Sequence, residues 1–342
     1  MDFTTSDGTL HRAHPLPRAS DRDHAAMVGE LRTRGWCFVE LDEVLRCDDL
    51  VRGLGDFFAQ DDATKRRYAA PFSYGYSRVD HKEGLRLLTG SRLARMSAWV
   101  PPELAQPVTA FARVIDTRML AATIALCKDL FGCTTQELAE RADLPAGYTQ
   151  HFGMLDAAHY FNARAGVEAP AMGADVGDVN CVPHYDPGLF SLSFFSSTEG
   201  LQLQDPATGA WIDGPVNTRA GERSIGVLWT GAAAARASHG AVRAGVHRVV
   251  YPQAPGKRLT LWYEMPTIAQ VAQPLNAAMT GGEVVIPNLP GAAPMRAAEG
   301  EKVFDFLLRV ERTRGLPMSK IMRLDDSFKK HEWPALPKDD EP

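Results

Sequence analysis

Long apolar runs are missing from this sequence: no stretch of its 342 residues approaches the roughly 18 to 20 apolar residues that a membrane span requires. The opening "MDFTTSDGTLHRAHPLPRAS" has no apolar core of the kind a secretory leader carries. Blocks of one charge sign are also missing. The 37 Lys and Arg and 42 Asp and Glu are interspersed and leave a net charge of -5, so neither a nucleic acid nor an anionic membrane finds an electrostatic footprint. Cysteine is sparse: Cys37, Cys47, Cys127, Cys133 and Cys181 are odd in number and form no CxxC pair. That pattern excludes a disulfide framework and a structural zinc site. Internal repeats and linker-like segments are absent too. These absences predict a soluble, unexported, cytoplasmic protein with reduced thiols and a small-molecule partner, without nucleic acid or membrane; the oligomeric state stays open.

What is present is 45% hydrophobic residues, enough to bury a sizeable core. The first half is predicted to be mainly helical. "DRDHAAMVGELRTRG" has helical spacing and ends at Gly35, "WCFVEL" is a short strand, and "DDLVRGLGDFFAQ" is a second amphipathic helix. "PVTAFARVIDTRMLAATIALCKDLFG" keeps apolar residues three and four apart for about seven turns, so it is the expected long supporting helix. After residue 150 the period shortens. "LFSLSFF", "GLQLQD", "AWIDGP", "SIGVLWT", "VHRVVYP" and "RLTLWYEM" are short strands between Gly, Pro and Asp signals, which predicts an antiparallel sandwich or barrel. "LQLQDPATGAWI" is a hairpin turning at Asp205, Pro206 and Gly209. Residues 163 to 180, "ARAGVEAPAMGADVGDVN", form a long loop expected to act as a lid, and "GEKVFDFLLRVERTRG" is expected as a final helix.

The chemistry starts at "VPHYDPGLFSLSFFSS". Side chains two apart on a strand share a face, so His184 and Asp186 project together, and "AGVHRVVYP" adds His247 on a later strand. Two imidazoles and one carboxylate on one side of a metal are the facial triad of non-haem Fe(II) oxygenases, which keeps the other coordination positions open. A hydrogen-bonded His–Asp pair at a strand end is the alternative for the HxD taken alone. In "KRLTLWYEM", Arg258 and Thr260 share a strand face with Trp262. A guanidinium fork beside a hydroxyl suits a bound carboxylate, whereas an arginine at a sheet edge would need no ligand at all.

In this order, "HYDPGLFSLSFF", "GLQLQDPATGAWIDGP", "SHGAVRAGVHRVVYP" and "RLTLWYE" make the chain resemble the isopenicillin N synthase-like group of 2-oxoglutarate and Fe(II)-dependent dioxygenases, chiefly over residues 145 to 268. The resemblance implies a mixed α and β fold: a double-stranded β-helix (jelly roll, cupin-like) core with a helical N-terminal flank and a C-terminal helix. It implies a single domain over residues 1 to 342, with 1–145 as the helical flank and substrate-side loops, 146–268 as the catalytic core and 269–342 as the C-terminal helix and tail. It further implies His184, Asp186 and His247 as iron ligands, with Fe(II), 2-oxoglutarate and O2 as cofactor and cosubstrates. Arg258 and Thr260 match the family's Arg-x-Ser pair that holds the distal carboxylate of 2-oxoglutarate, and Tyr160 falls where a tyrosine often joins them. The implied reaction hydroxylates, desaturates or cyclises a small natural-product or amino-acid-derived substrate and releases succinate and CO2. The chain departs from the family at "WTGAAAARASHG", which lacks the usual Gly-Asp pair and has His239 where Asn is usual. An altered local turn is expected there.

For the substrate, "YGYSRVDHKEGLR" offers Tyr76, Arg78, His81, Lys82 and Arg86; Arg78 is the first choice, with Phe190, Phe194, Leu203 and Trp262 as candidate apolar walls. Two other functions fit the residues: an isopenicillin N synthase-type Fe(II) oxidase that uses Arg258 on its own substrate without 2-oxoglutarate, and a non-catalytic metal- or ligand-binding jelly roll.

Overall fold

The computed structural model describes residues 1–5, 8–21, 23–69, 74–79, 81–142, 144, 153–162, 179–217, 224–253, 255–267, 283–284 and 295–296. In chain order the strands that build the site are β1 (Asp2–Thr4), β2 (Leu10–Pro15), β3 (Trp36–Glu40), β4 (Gly75–Val79), β5 (Lys82–Leu88), β6 (Met154–Tyr160), β7 (Cys181–His184), β8 (Phe190–Ser196), β9 (Leu201–Gln204), β10 (Trp211–Asp213), β11 (Ile225–Thr230), β12 (His247–Val249) and β13 (Arg258–Glu264). The helices are α1 (Ala25–Thr33), α2 (Asp48–Ala59), α3 (Asp62–Arg66), α4 (Pro102–Phe131), α5 (Thr135–Arg141) and α6 (Ala232–Ala237).

Two sheets face each other. The larger runs β1-β2-β3-β11-β8-β13-β6-β5-β4 and the smaller β10-β9-β12-β7; all pairs are antiparallel except β2 with β3. Between the sheets Trp36, Phe38, Val227 and Trp229 pack on Leu201 and Leu203, and the Trp36 indole N–H donates to the Gln204 carbonyl at 2.8 Å. The outer face of the large sheet is covered by helices. There α4 buries Leu104, Val108, Phe111, Ile115, Met119, Leu126 and Leu130, the three- and four-residue spacing read from the sequence. Proline at its first turn and Gly132 in the left-handed region (φ 61°) at its end set its limits.

Strand parity decides what faces the site. On β5, β6 and β13 even-numbered residues such as Lys82, Arg86, Tyr160, Arg258 and Trp262 line the cavity between the sheets, and odd-numbered ones such as Leu85, Leu155, Leu261 and Tyr263 join the core under the helices. The register aligns rows across the sheet: Lys82–Tyr160–Arg258, then Gly84–Ala158–Thr260, then Arg86–Asp156–Trp262.

The hairpin expected at "LQLQDPATGAWI" is present as β9–β10, with Gln204 opposite Trp211. The first half carries more sheet than its helical periodicity predicts. "YGYSRVDHKEGLRLL" holds the hairpin β4–β5, added to the large sheet beside β6; there Glu83 and Arg86 meet buried partners, Lys65 and Asp156, and Arg78 meets the half-exposed Asp62. "RMSAW" lies in 3-10 turns within Gly90–Trp99. The altered turn at "WTGAAAARASHG" is α6 followed by His239 and Gly240, both at positive φ (52° and 83°). The expected C-terminal helix and nearly all of the expected lid lie outside the described residues.

Candidate metal centre and anion pocket

His184 ends β7 and His247 begins β12, and the two are paired across the strands, which brings their ring centroids to 4.2 Å. Asp186 lies two residues beyond His184, in the turn leading to β8. Its carbonyl accepts the Ala232 N–H at 2.8 Å, from the first turn of α6, so the helix pins the turn. The approach is close enough to require glycine: a Cβ on Gly231 would run into the Gly188 carbonyl oxygen. One ligand atom from each of His184, Asp186 and His247 falls within 4.8 Å of the others, and each imidazole Nε2 is 3.9 Å from Asp186 Oδ1.

Neighbouring groups aim these atoms. The Ser191 hydroxyl and the Trp229 indole N–H both donate to Asp186 Oδ2, at 2.6 and 2.7 Å, leaving Oδ1 for a cation. His247 Nδ1 lies 3.2 Å from the Gly245 carbonyl; with that nitrogen as donor, the Nε2 lone pair faces inward. Burial, helped by His184, pushes the His247 imidazole down to about 4, so it is neutral and able to ligate at neutral pH. Burial alone would raise the Asp186 carboxyl, but the two imidazoles and the Ser191 and Trp229 donors bring it below its ordinary value. The donor set, two imidazole nitrogens and one carboxylate oxygen, fits a divalent first-row metal.

The same cavity, of about 240 Å³, is lined by Tyr160, Arg258, Thr260 and Trp262 as well as by the three ligands. Arg258 is 1% exposed. Its Nε donates to Ser196 Oγ at 3.0 Å, and its Nη1 is buried with no hydrogen-bond partner among the described residues. Burial lowers the guanidinium to about 10, against opposing pulls from Tyr160 and Cys181, so it keeps its charge at neutral pH. A buried, charged donor without an acceptor is the signature of a site for an anion. Thr260 Oγ1 donates to the Phe195 carbonyl at 3.0 Å, so its proton is already committed. The Tyr160 ring is flanked by two cations, Arg258 at 5.5 Å and Lys82 at 5.2 Å from the centroid.

Of the residues read from the sequence, His184, Asp186, His247, Arg258, Thr260, Tyr160 and Trp262 come together around this cavity. Tyr76, Arg78 and Phe190, expected at the substrate, do not. Tyr76 is buried on the helix side and donates to Glu83 at 2.9 Å; Arg78 pairs with Asp62 beside the Phe161 ring. Phe190 packs against Phe131 and Phe194 against Phe111, because both fall on the strand parity that faces the helices. From the same loop segment it is Lys82 and Arg86 that line the cavity. Sequence reading also passes over Ser191, Trp229, Asp156 and Glu264. For Asp156 a signal existed: a carboxylate flanked by Met154, Leu155, Ala157 and Ala158 within a strand.

No protein-family model matches this sequence, and no curated protein matches it. Solved structures do. A full-length protein of Neurospora crassa, solved in complex with alpha-KG, superposes with a TM-score of 0.56 at 20% identity, over 87% of this chain and 93% of that one. A dioxygenase for auxin oxidation from Arabidopsis thaliana, solved as a 2-oxoglutarate complex, gives 0.56 at 13% identity over 74% and 92%. An oxygenase from Shewanella oneidensis gives 0.52 at 17% identity over 85% and 95%. At these identities the likeness establishes a shared fold.

Proposed function

We propose that this protein is an Fe(II)- and 2-oxoglutarate-dependent oxygenase of a small natural-product or amino-acid-derived substrate, with residues 146–268 forming a double-stranded β-helix core. The observation that carries this reading is the pairing, in one cavity, of a complete His184–Asp186–His247 donor set with the buried and unpartnered Nη1 of Arg258. The fold shared with 2-oxoglutarate-bound structures supports it.

His184 Nε2, Asp186 Oδ1 and His247 Nε2 would hold the iron, and Arg258 Nη1 would take the distal carboxylate of 2-oxoglutarate. Iron and 2-oxoglutarate, when bound, supply oxygen activation, in which the keto acid is oxidatively decarboxylated to succinate and CO2 while a substrate C–H bond is oxidised. The chain positions and excludes water. Ser191 and Trp229 fix Asp186, Gly245 fixes His247, and Ser196 holds the Arg258 fork from behind. Thr260 is placed to assist as a neighbour, but its proton goes to Phe195, so Arg258 carries most of the grip.

The test is anaerobic titration of the Fe(II)-loaded protein with 2-oxoglutarate, following the visible charge-transfer band of keto-acid chelation. Arg258→Ala is expected to weaken cosubstrate binding by about 10- to 100-fold, the scale of a lost hydrogen bond to a charged group, and Thr260→Val by clearly less. If iron binds and no band forms, the reading fails in favour of an oxidase without 2-oxoglutarate or a non-catalytic binding module.

A further inference from the structure

Beside the main cavity, and sharing Lys82, Arg86 and Trp262 with it, is a recess of about 70 Å³ whose wall includes Asp156. Ser77, Lys82 and Glu83 also line it, and Arg86 on β5, Asp156 on β6 and Trp262 on β13 form one cross-sheet row in its wall. Arg86 and Asp156 face each other but use only one prong. Arg86 Nε donates to Asp156 Oδ1 at 2.6 Å, whereas the fork-to-fork pairing of which the two groups are capable would employ both carboxylate oxygens. Asp156 Oδ2 is buried without a hydrogen-bond partner among the described residues, in a side chain only 5% exposed. A half-satisfied buried carboxylate costs stability. The pair stands close to the metal-binding end: burial raises the Asp156 carboxyl, and Asp186 is near enough to add to that rise against the pull of Arg86.

We infer that Arg86 and Asp156 are the specificity-determining residues for the primary substrate, and that they read a neutral group carrying an N–H donor beside a carbonyl acceptor, as along the edge of an amide or lactam. This rests on the oxygenase reading for what then happens to the substrate, but not for what binds. Asp156 Oδ2 accepts the N–H, and the remaining donors of Arg86 meet the carbonyl. A carboxylate would gain from Arg86 but be set against Asp156, so the pair selects against a plain anion, in contrast to Arg258, which pairs with no carboxylate among the described residues. The recess is the smaller of the two spaces, of a size for an amide or lactam edge. Trp262 in the same row gives the flat wall along which a planar ring continues into the main cavity.

The probe is 2-pyridone, a planar lactam with both groups, compared with N-methyl-2-pyridone, which lacks the donor, and benzoate, which is an anion. Binding to the Fe(II)- and 2-oxoglutarate-loaded protein is measured anaerobically by calorimetry. The expected result is that 2-pyridone binds at least tenfold more tightly than either comparison compound. Asp156→Asn is expected to erase the preference over the N-methyl compound and Arg86→Gln to weaken 2-pyridone binding about tenfold. Equal binding of the lactam and its N-methyl form overturns the inference, as does a preference for benzoate or no binding of any probe; Asp156 Oδ2 would then be satisfied by a trapped water. The keto-acid band, read in the same samples, reports separately on iron and cosubstrate. A normal band without lactam preference sinks this inference alone, whereas a lactam preference without the band sinks the oxygenase reading alone.

Discussion

Asp186 shows how much of a candidate metal site rests on groups outside its donor set. A carboxylate with two free oxygens could bind in several ways; Ser191 and Trp229 occupy Oδ2 and so decide that Oδ1 faces the imidazoles. Trp229→Phe keeps an aromatic ring beside His247 (centroids 4.6 Å apart in the wild type) and removes the donor together with part of the indole. It is expected to weaken Fe(II) binding by about 10- to 100-fold, the usual effect of losing an orienting partner; a metal titration that finds the affinity unchanged would remove this role from Trp229. The three candidate donors were legible in the sequence from the HxD spacing and the later His247, although what sets Asp186 beside His184 is the turn after β7, pinned by α6, and not a shared strand face. Trp229 was not, since "SIGVLWT" has the composition of any buried strand and nothing local says which carboxylate its N–H will meet.

Among the elements, α6 and the turn after β7 act as one unit. Ala232 and Ala233 donate from the first turn of α6 to the carbonyls of Asp186, Pro187 and Gly188, and this contact is possible because Gly231 has no Cβ. Gly231→Ala is expected to cost about 1 to 3 kcal/mol by overpacking and to displace Asp186; denaturant unfolding reads the first and metal affinity the second. Unchanged values in both would show that the turn yields without penalty. The long helix α4 was legible from its spacing, as was the β9–β10 hairpin from its turn residues. The β4–β5 hairpin was not. Lys82, Glu83 and Arg86 look like solvent residues until β6 supplies Tyr160, His159 and Asp156 opposite them in register.

For the molecule as a whole, Glu83 is the tie between the helical layer and the sheet. It accepts from Lys65 of α3 at 2.6 Å, Tyr76 of β4 at 2.9 Å and His159 of β6, whose Nδ1 lies at 2.9 Å. Burial pushes the Glu83 carboxyl up, but His159, Lys65 and Tyr76 together outweigh it and hold it at about 2, against an ordinary 4.5. A carboxyl lowered on folding stabilises the fold fully above its ordinary value and loses that contribution as pH falls through the folded one. About 3 kcal/mol is therefore expected to disappear between pH 4.5 and 2. Denaturant unfolding at pH 7, 4 and 2 checks this, and in Glu83→Gln the stability difference between pH 7 and 2 should shrink by that amount; an unchanged profile would assign the acid sensitivity elsewhere. The sequence by itself determined the strand and helix periods and the order of HxD, His247 and Arg258, because these follow from spacing along the chain; the turn that sets Asp186 beside His184 came from its contact with α6. Only the tertiary structure decided that Arg86 and not Arg78 reaches the cavity, that Phe190 turns to the helices, and that Arg258 and Asp156 each keep a polar atom without a partner among the described residues. Such outcomes depend on which strand lies opposite and in what register, and no local spacing encodes that.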